Sequence, residues 1–233
     1  MRQSARSNSS YNRFAMLLYY ITDRKGFDGS EAEQRAALLR RVAEAARAGV
    51  DYIQLREKDL DAADLELLAR EVLRRIRENS DAARLLVNSR TEVALAIGAD
   101  GVHLPAISPP VTAVRKQWMQ LSDREPLIGV SAHTILEVQH AEIDGATFAV
   151  LAPIFEKSTA GAEGIGLEVL REACMLSNMP VLALGGVRLG NARACLEAGA
   201  GGIAGIRLFQ EGGIQSTVDA LRWLERHVSR TAG

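Results

Sequence analysis

A single (β/α)8 TIM barrel, an α/β fold, is the architecture this chain predicts, on three observations. Short apolar, β-branched runs alternate with longer amphipathic ones from Leu17 to the C-terminus, the pattern of parallel β/α units. The alternation gives eight such units. The segments ARAGVDYIQL, AIGADGVHL, EIDGATFAV and EAGAGGIAGI also repeat one design, a Gly just past a helix end followed by an apolar strand, and they recur about every 50 residues. A residue tolerant of positive φ closes a helix cheaply there. The repeating module is therefore a pair of β/α units, and four pairs close a barrel. An open doubly wound sheet would carry a Gly-rich fingerprint after its first strand, and ITDRKGFDG contains none.

The elements follow in order. LLYYIT at 17–22 is the first strand, and the amphipathic run 31–48 is the first helix, closed by Gly49. YIQL at 52–55 leads to a helix over 62–78. LLVN at 85–88 leads to a short helix over 91–97, ended by Gly98. GVH at 101–103 precedes a helix over 111–120, and LIGVS at 127–131 precedes one over 135–144, ended near Gly145. FAVL at 148–151 is followed by a helix over 167–174. VLAL at 181–184 is followed by one over 191–198, closed by Gly199. IAGI at 203–206 and a helix over 214–228 complete the eighth unit. Alternating runs of this length suit strands and helices respectively.

The composition is that of an average globular chain, with 47% hydrophobic and 24% charged residues over 233 positions. Twenty-eight Lys and Arg balance 29 Asp and Glu, so the global charge points to neither nucleic acid nor an anionic membrane. No apolar run approaches a membrane span. The opening MRQSARSNSSYNRF lacks an apolar core and is no secretory signal, so residues 1–13 are expected to be a disordered tail ahead of one barrel domain over 14–233. Cys174 and Cys195 lie in helical patterns and suit reduced thiols in a cytoplasmic protein. Self-association is left open.

Barrels of this type carry their chemistry at the C-terminal ends of the strands, and here those ends are rich in polar residues. Strand alternation sets Gln54, Arg56 and Lys58 on one side of the chain, an amide and two cations facing an anion. The plainer alternative is that these cations pair with Glu57, Asp59 or Asp23. After the seventh and eighth strands, Gly185, Gly186, Ile206 and Arg207 form a candidate phosphate cup, although a GG pair also makes simple turns. A bulky side chain at Gly186 is expected to weaken phosphate binding without unfolding the barrel. His133, flanked by Ser131 and Thr134, is the candidate proton-transfer group, or else a helix cap. Asn88, His103 and Ser131 are candidate substrate contacts, with a structural role as the equal alternative for His103. Glu163, in AGAEGIG, is the alternative acid/base group. No cluster has metal-ligand spacing, and no nucleophile-elbow motif occurs.

In this order, YYITDR, QLREK, the Asn88-x-Arg90 pair, GADGVHL, GVSAHT, APIF, LALGGV and AGAGGIAG resemble the thiamine phosphate synthase and TenI-type thiazole tautomerase superfamily. The resemblance implies a barrel that binds a thiazole phosphate, with His133 at the family's catalytic histidine. The synthase branch pairs Asn-Asp-Arg with a second Asp after the fourth strand to hold magnesium. Here Ser89 takes the first place, and PAISPP follows His103-Leu104. The synthase's PIFPTPTK becomes Pro153 to Ala160, leaving Ala160 at its pyrophosphate-binding Lys, with Lys157 nearby. LPxxxxP-like text from Leu104 and EGIG from Glu163 resemble the tautomerase branch. The expectation is therefore a thiazole tautomerase that aromatises thiazole carboxylate phosphate by a proton shift and needs no cofactor. The alternatives are thiamine phosphate synthase, with magnesium, and a non-catalytic phosphate-binding barrel.

Overall fold

The computed structural model describes residues 15–106, 109–155 and 163–231. The expected tail, and Lys157 and Ala160, lie outside them. Eight parallel strands close into a barrel in sequential order: β1 Leu17–Ile21, β2 Tyr52–Leu55, β3 Arg84–Asn88, β4 Gly101–Leu104, β5 Leu127–Ala132, β6 Phe148–Leu151, β7 Val181–Ala183 and β8 Gly202–Gly205. The seam is sealed by β1 on β8, with Tyr20 opposite Gly205. Closure removes every sheet edge.

The helices are α1 Glu31–Ala48, α2 Ala62–Asn79, α3 Thr91–Ile97, α4 Val111–Leu121, α5 Ile135–Ile143, α6 Gly166–Leu176, α7 Leu189–Glu197, α8 Arg207–Gln210 and α9 Ile214–Thr231. Their ends are chemically specified. Ser30 and Glu33 form a capping box on α1, and Asp61 and Thr134 accept from backbone amides to cap α2 and α5. The four repeated glycines, Gly49, Gly98, Gly145 and Gly199, adopt φ of 92°, 68°, 85° and 95°. That is the conformation the repeat demanded. Two short elements escaped the periodicity: a 3-10 turn at Arg24–Gly26 and the one-turn α8.

Alternation along the strands divides the core in two. Outward residues such as Leu18, Ile53, Leu85, Val102, Ile128 and Ala149 pack against the helices. Inward residues Tyr19, Ile21, Leu86, Phe148, Val150, Leu182 and Ala204 fill the barrel as a second cluster. The interior is packed rather than open. Ligand access is therefore confined to the mouth.

Candidate active site

The second strand leads into the mouth. Gln54 points into the barrel and is buried, while its neighbour Leu55 packs outward. The chain then leaves the sheet and turns, with the Leu60 amide donating to the Glu57 carbonyl at 3.4 Å. Alternation does not survive that turn, so Lys58 shares a cavity of about 290 Å³ with Leu55, Glu57, Leu65, Asn88, Ser89 and Arg90. The expectation that Lys58 shares the side of Gln54, away from Leu55 and Glu57, thus fails because the strand ends three residues earlier.

The nearby carboxylates are already engaged. Arg24, at 2% exposure, donates to both Asp59 oxygens at 2.7 and 2.6 Å, to Glu57 at 3.1 Å and to Glu31 at 2.8 Å. The Thr22 hydroxyl donates to Glu57 at 2.6 Å, and the Arg24 amide adds two longer contacts. Burial pushes the Glu57 carboxyl above its ordinary range, against these hydrogen bonds. The Arg24 guanidinium holds Asp59 far below its own. Among the described residues, Arg56 and Lys58 have no carboxylate partner, and Arg90 reaches Glu92 only at 3.8 Å. The salt-bridge alternative for Arg56 and Lys58 is set aside. Their charge is available to an anion.

After β3, Asn88 donates to the Ser89 hydroxyl at 3.0 Å, and Ser89 takes φ of 62°. Left-handed backbone at a β-hydroxyl residue carries strain of the kind that collects at functional sites. Magnesium, implied by the synthase resemblance, does not fit these residues. Ser89 offers only a hydroxyl where the resemblance implies a carboxylate, and Glu57 is committed to Thr22 and Arg24.

His103 is buried at 3% exposure. Its Nδ1 lies 3.1 Å from the Tyr19 hydroxyl and its Nε2 lies 2.9 Å from Ser131 Oγ. Gln54 Nε2 donates to Tyr19 Oη at 2.8 Å. Burial, with Arg56 adding repulsion, lowers the His103 pKa to about 3, so its ring is neutral, with both nitrogens engaged by Tyr19 and Ser131. An unfolded histidine titrates near 6.5. A folded value below that gives stability that is full above pH 6.5 and declines as the pH falls toward 3. Between pH 7.5 and 5 the expected loss in denaturant-measured stability is about 2 kcal/mol, and His103→Gln should abolish most of that slope.

His133 is exposed two residues before α5. Thr134, not His133, is the cap. The His133 Nδ1 lies 2.7 Å from the Ala152 carbonyl, an acceptor only, so Nδ1 carries the proton. Glu163 is exposed at the end of the β6–α6 connection, and Ile165 beyond it donates to the Pro153 carbonyl at 2.8 Å.

At the opposite rim, Gly185 and Gly186 take φ of 93° and 67°. A Cβ on Gly185 would lie 2.6 Å from Pro153 Cα, so packing alone requires glycine there. Asn191 Oδ1 accepts from the Arg188 amide and its Nδ2 donates to the Gly186 carbonyl at 3.0 Å, fixing the turn ahead of α7. Ile206 packs on the barrel interior, and Arg207 begins α8 with its side chain exposed. Since Ala183 pairs with Ile203, both segments emerge side by side.

The residues named from sequence thus gather at one end of the barrel. Tyr19, Thr22 and the Arg24–Glu57 clamp were missed. Only the inward register of Tyr19 hinted at a role.

Comparison with known proteins agrees with this arrangement. A family model described as thiamine monophosphate synthase matches residues 18–209. A thiamine-phosphate synthase of Roseiflexus sp. is 38% identical over 191 residues, covering 81% of this chain and 75% of its own. One from Clostridium acetobutylicum is 36% identical over 188 residues, covering 80% and 83%. A solved thiamine phosphate pyrophosphorylase from Pyrococcus furiosus superposes with a TM-score of 0.76 at 29% identity, over 91% of this chain and 96% of that one. These names favour the synthase over the tautomerase that the departures at Ser89 and Ala160 had suggested. With its closed barrel and its match across most of the length, this chain belongs to the thiamine monophosphate synthase family.

Proposed function

We propose that this chain joins hydroxymethylpyrimidine pyrophosphate to a thiazole phosphate, forming thiamine phosphate and releasing pyrophosphate. The observation that carries the reading is the set of cations at the end of β2 and β3 without close carboxylate partners, Arg56, Lys58 and Arg90, on the rim opposite the Gly185–Gly186 turn. Two anionic groups need two seats, and the mouth offers both. The pyrimidine methylene–oxygen bond breaks with its electron pair leaving on pyrophosphate, and the thiazole nitrogen forms the new bond to that methylene. Charge developing on the leaving group is stabilised by the cations. Gly185, Gly186 and Arg207 hold the thiazole phosphate, whose oxygens suit backbone amides at the glycine turn and the exposed guanidinium. No proton transfer is required. Turnover of the two substrates, followed as thiamine phosphate and pyrophosphate in equal amounts, tests the reading. Absence of product with both substrates bound would overturn it.

A second reading, thiazole tautomerase, is favoured by one observation, the exposed His133 imidazole anchored through Nδ1 to the Ala152 carbonyl. Asn at this position cannot shuttle a proton near neutral pH. Both branches of the resemblance carry a histidine at this place, so the effect of His133→Asn on synthase turnover does not decide between them. Under the second reading the substitution lowers tautomer conversion about 10²–10⁴-fold. Parallel assays of the wild-type chain with both substrate sets separate the two.

A further inference from the structure

We propose that Tyr19 and His103 are positioning residues which hold Ser131 as a hydrogen-bond donor aimed into the mouth of the barrel. The inference rests on the functional reading above for its consequence, but not for its geometry. Three hydrogen bonds cross four strands: Gln54 on β2 to Tyr19 on β1 at 2.8 Å, Tyr19 to His103 on β4 at 3.1 Å, and His103 to Ser131 on β5 at 2.9 Å. Gln54, Tyr19 and His103 are exposed by only 1%, 0% and 3%. Water does not complete their bonding, so each group's role is set by its neighbour.

The run has one direction. The Gln54 amide nitrogen has only protons to offer, so the Tyr19 oxygen accepts. Tyr19 then has its single proton to give, and His103 Nδ1 is the group that receives it. A neutral imidazole whose Nδ1 accepts carries its proton on Nε2. That proton goes to Ser131 Oγ. Having accepted, Ser131 keeps its own proton for a partner elsewhere. Its half-buried position near the end of β5 directs that proton to an acceptor atom on the bound substrate. A serine without this constraint would be as free to accept as to donate.

The surrounding packing favours the same arrangement. A Cβ on Gly129 would lie 2.8 Å from His103 Nδ1 and 2.4 Å from Phe148 Cζ, so the missing side chain on β5 makes the room that the imidazole occupies. Tyr19 and His103 rings lie 5.7 Å apart, and Phe148 closes against both. Apolar residues would fill this volume as well, and with no polar group to satisfy. The polar run therefore calls for a role at its open end.

The test uses the full chain carrying 15N-labelled histidine. Two-bond proton–nitrogen spectra of the free protein are expected to show His103 neutral with its proton on Nε2. A proton on Nδ1 would reverse the run and overturn the proposal. Tyr19→Phe, which keeps the ring, is expected to release the tautomer preference and to lower kcat about tenfold, with little change in KM. In a Ser131→Ala background the same substitution should cost nothing further, because its effect passes through Ser131. Additive losses would overturn the proposal. Because the tautomer is read without substrate, failure of the functional reading leaves this result standing, and the two failures are told apart.

Discussion

Arg56→Gln is expected to lower thiamine phosphate formation about 10²–10³-fold, the cost typical of removing one preorganised group from a developing oxyanion. The size follows from the lack of competition. Were Arg56 paired with Glu57 or Asp59, its charge would already be spent within the protein, and its loss would mainly affect folding. Arg24 claims both carboxylates instead. Glutamine keeps length and hydrogen-bonding capacity while removing charge, so the barrel should melt near the wild-type temperature. Steady-state kinetics and thermal melts on the same preparation check both halves. A kcat loss of this size with an unchanged melt supports the anion seat. A destabilised barrel with unchanged kcat would assign Arg56 to structure.

Arg24→Met should cost about 3–5 kcal/mol of stability, because it leaves the buried Glu57 carboxylate without its guanidinium. Only the Thr22 hydroxyl and the backbone amide of residue 24 would remain beside it. The sign of the pH dependence follows. Burial already raises the Glu57 pKa, and removing the cation raises it further. A raised carboxyl pKa gives a folded state that binds protons more readily than the unfolded one, so the variant loses stability as the pH rises through that range. The deficit is therefore larger at pH 8 than at pH 5. Glu57→Gln in the same background should recover much of it, since no buried charge is then left alone. Denaturant unfolding at the two pH values checks the pair. Asp59 would keep its ion pair with Lys25 at 3.0 Å.

Much of the architecture was readable because each strand and helix is long enough to show its period. The boundaries of α1, β2, α3 and β6 fall where the residues place them. The turn at Arg24–Gly26 and α8 are too short to carry a period of 3.6 residues. Gln54, Asn88, His103 and Ser131 stand out in the sequence as candidates because polar residues in an inward strand register are conspicuous. Their connection was not readable. Tyr19 and His103 are 84 residues apart, and His103 and Ser131 are 28 apart, so their meeting depends on the stagger of the closed barrel. Lys58 was misplaced for a related reason, since alternation was extended beyond the end of β2. The positive φ of Ser89 and the capture of Glu57 and Asp59 by Arg24 are properties of loops, where periodicity says nothing.

The proposed reaction requires two separate anion seats in the mouth, one for each substrate. The direct measurement is a crystal structure of the chain with thiazole phosphate and inorganic pyrophosphate added together. The expected density places the thiazole phosphate group against Gly185, Gly186 and the 206–207 segment, and the pyrophosphate against Arg56, Lys58 and Arg90. Both anions competing for one seat, or the thiazole phosphate bound away from Gly185–Gly186, would contradict it.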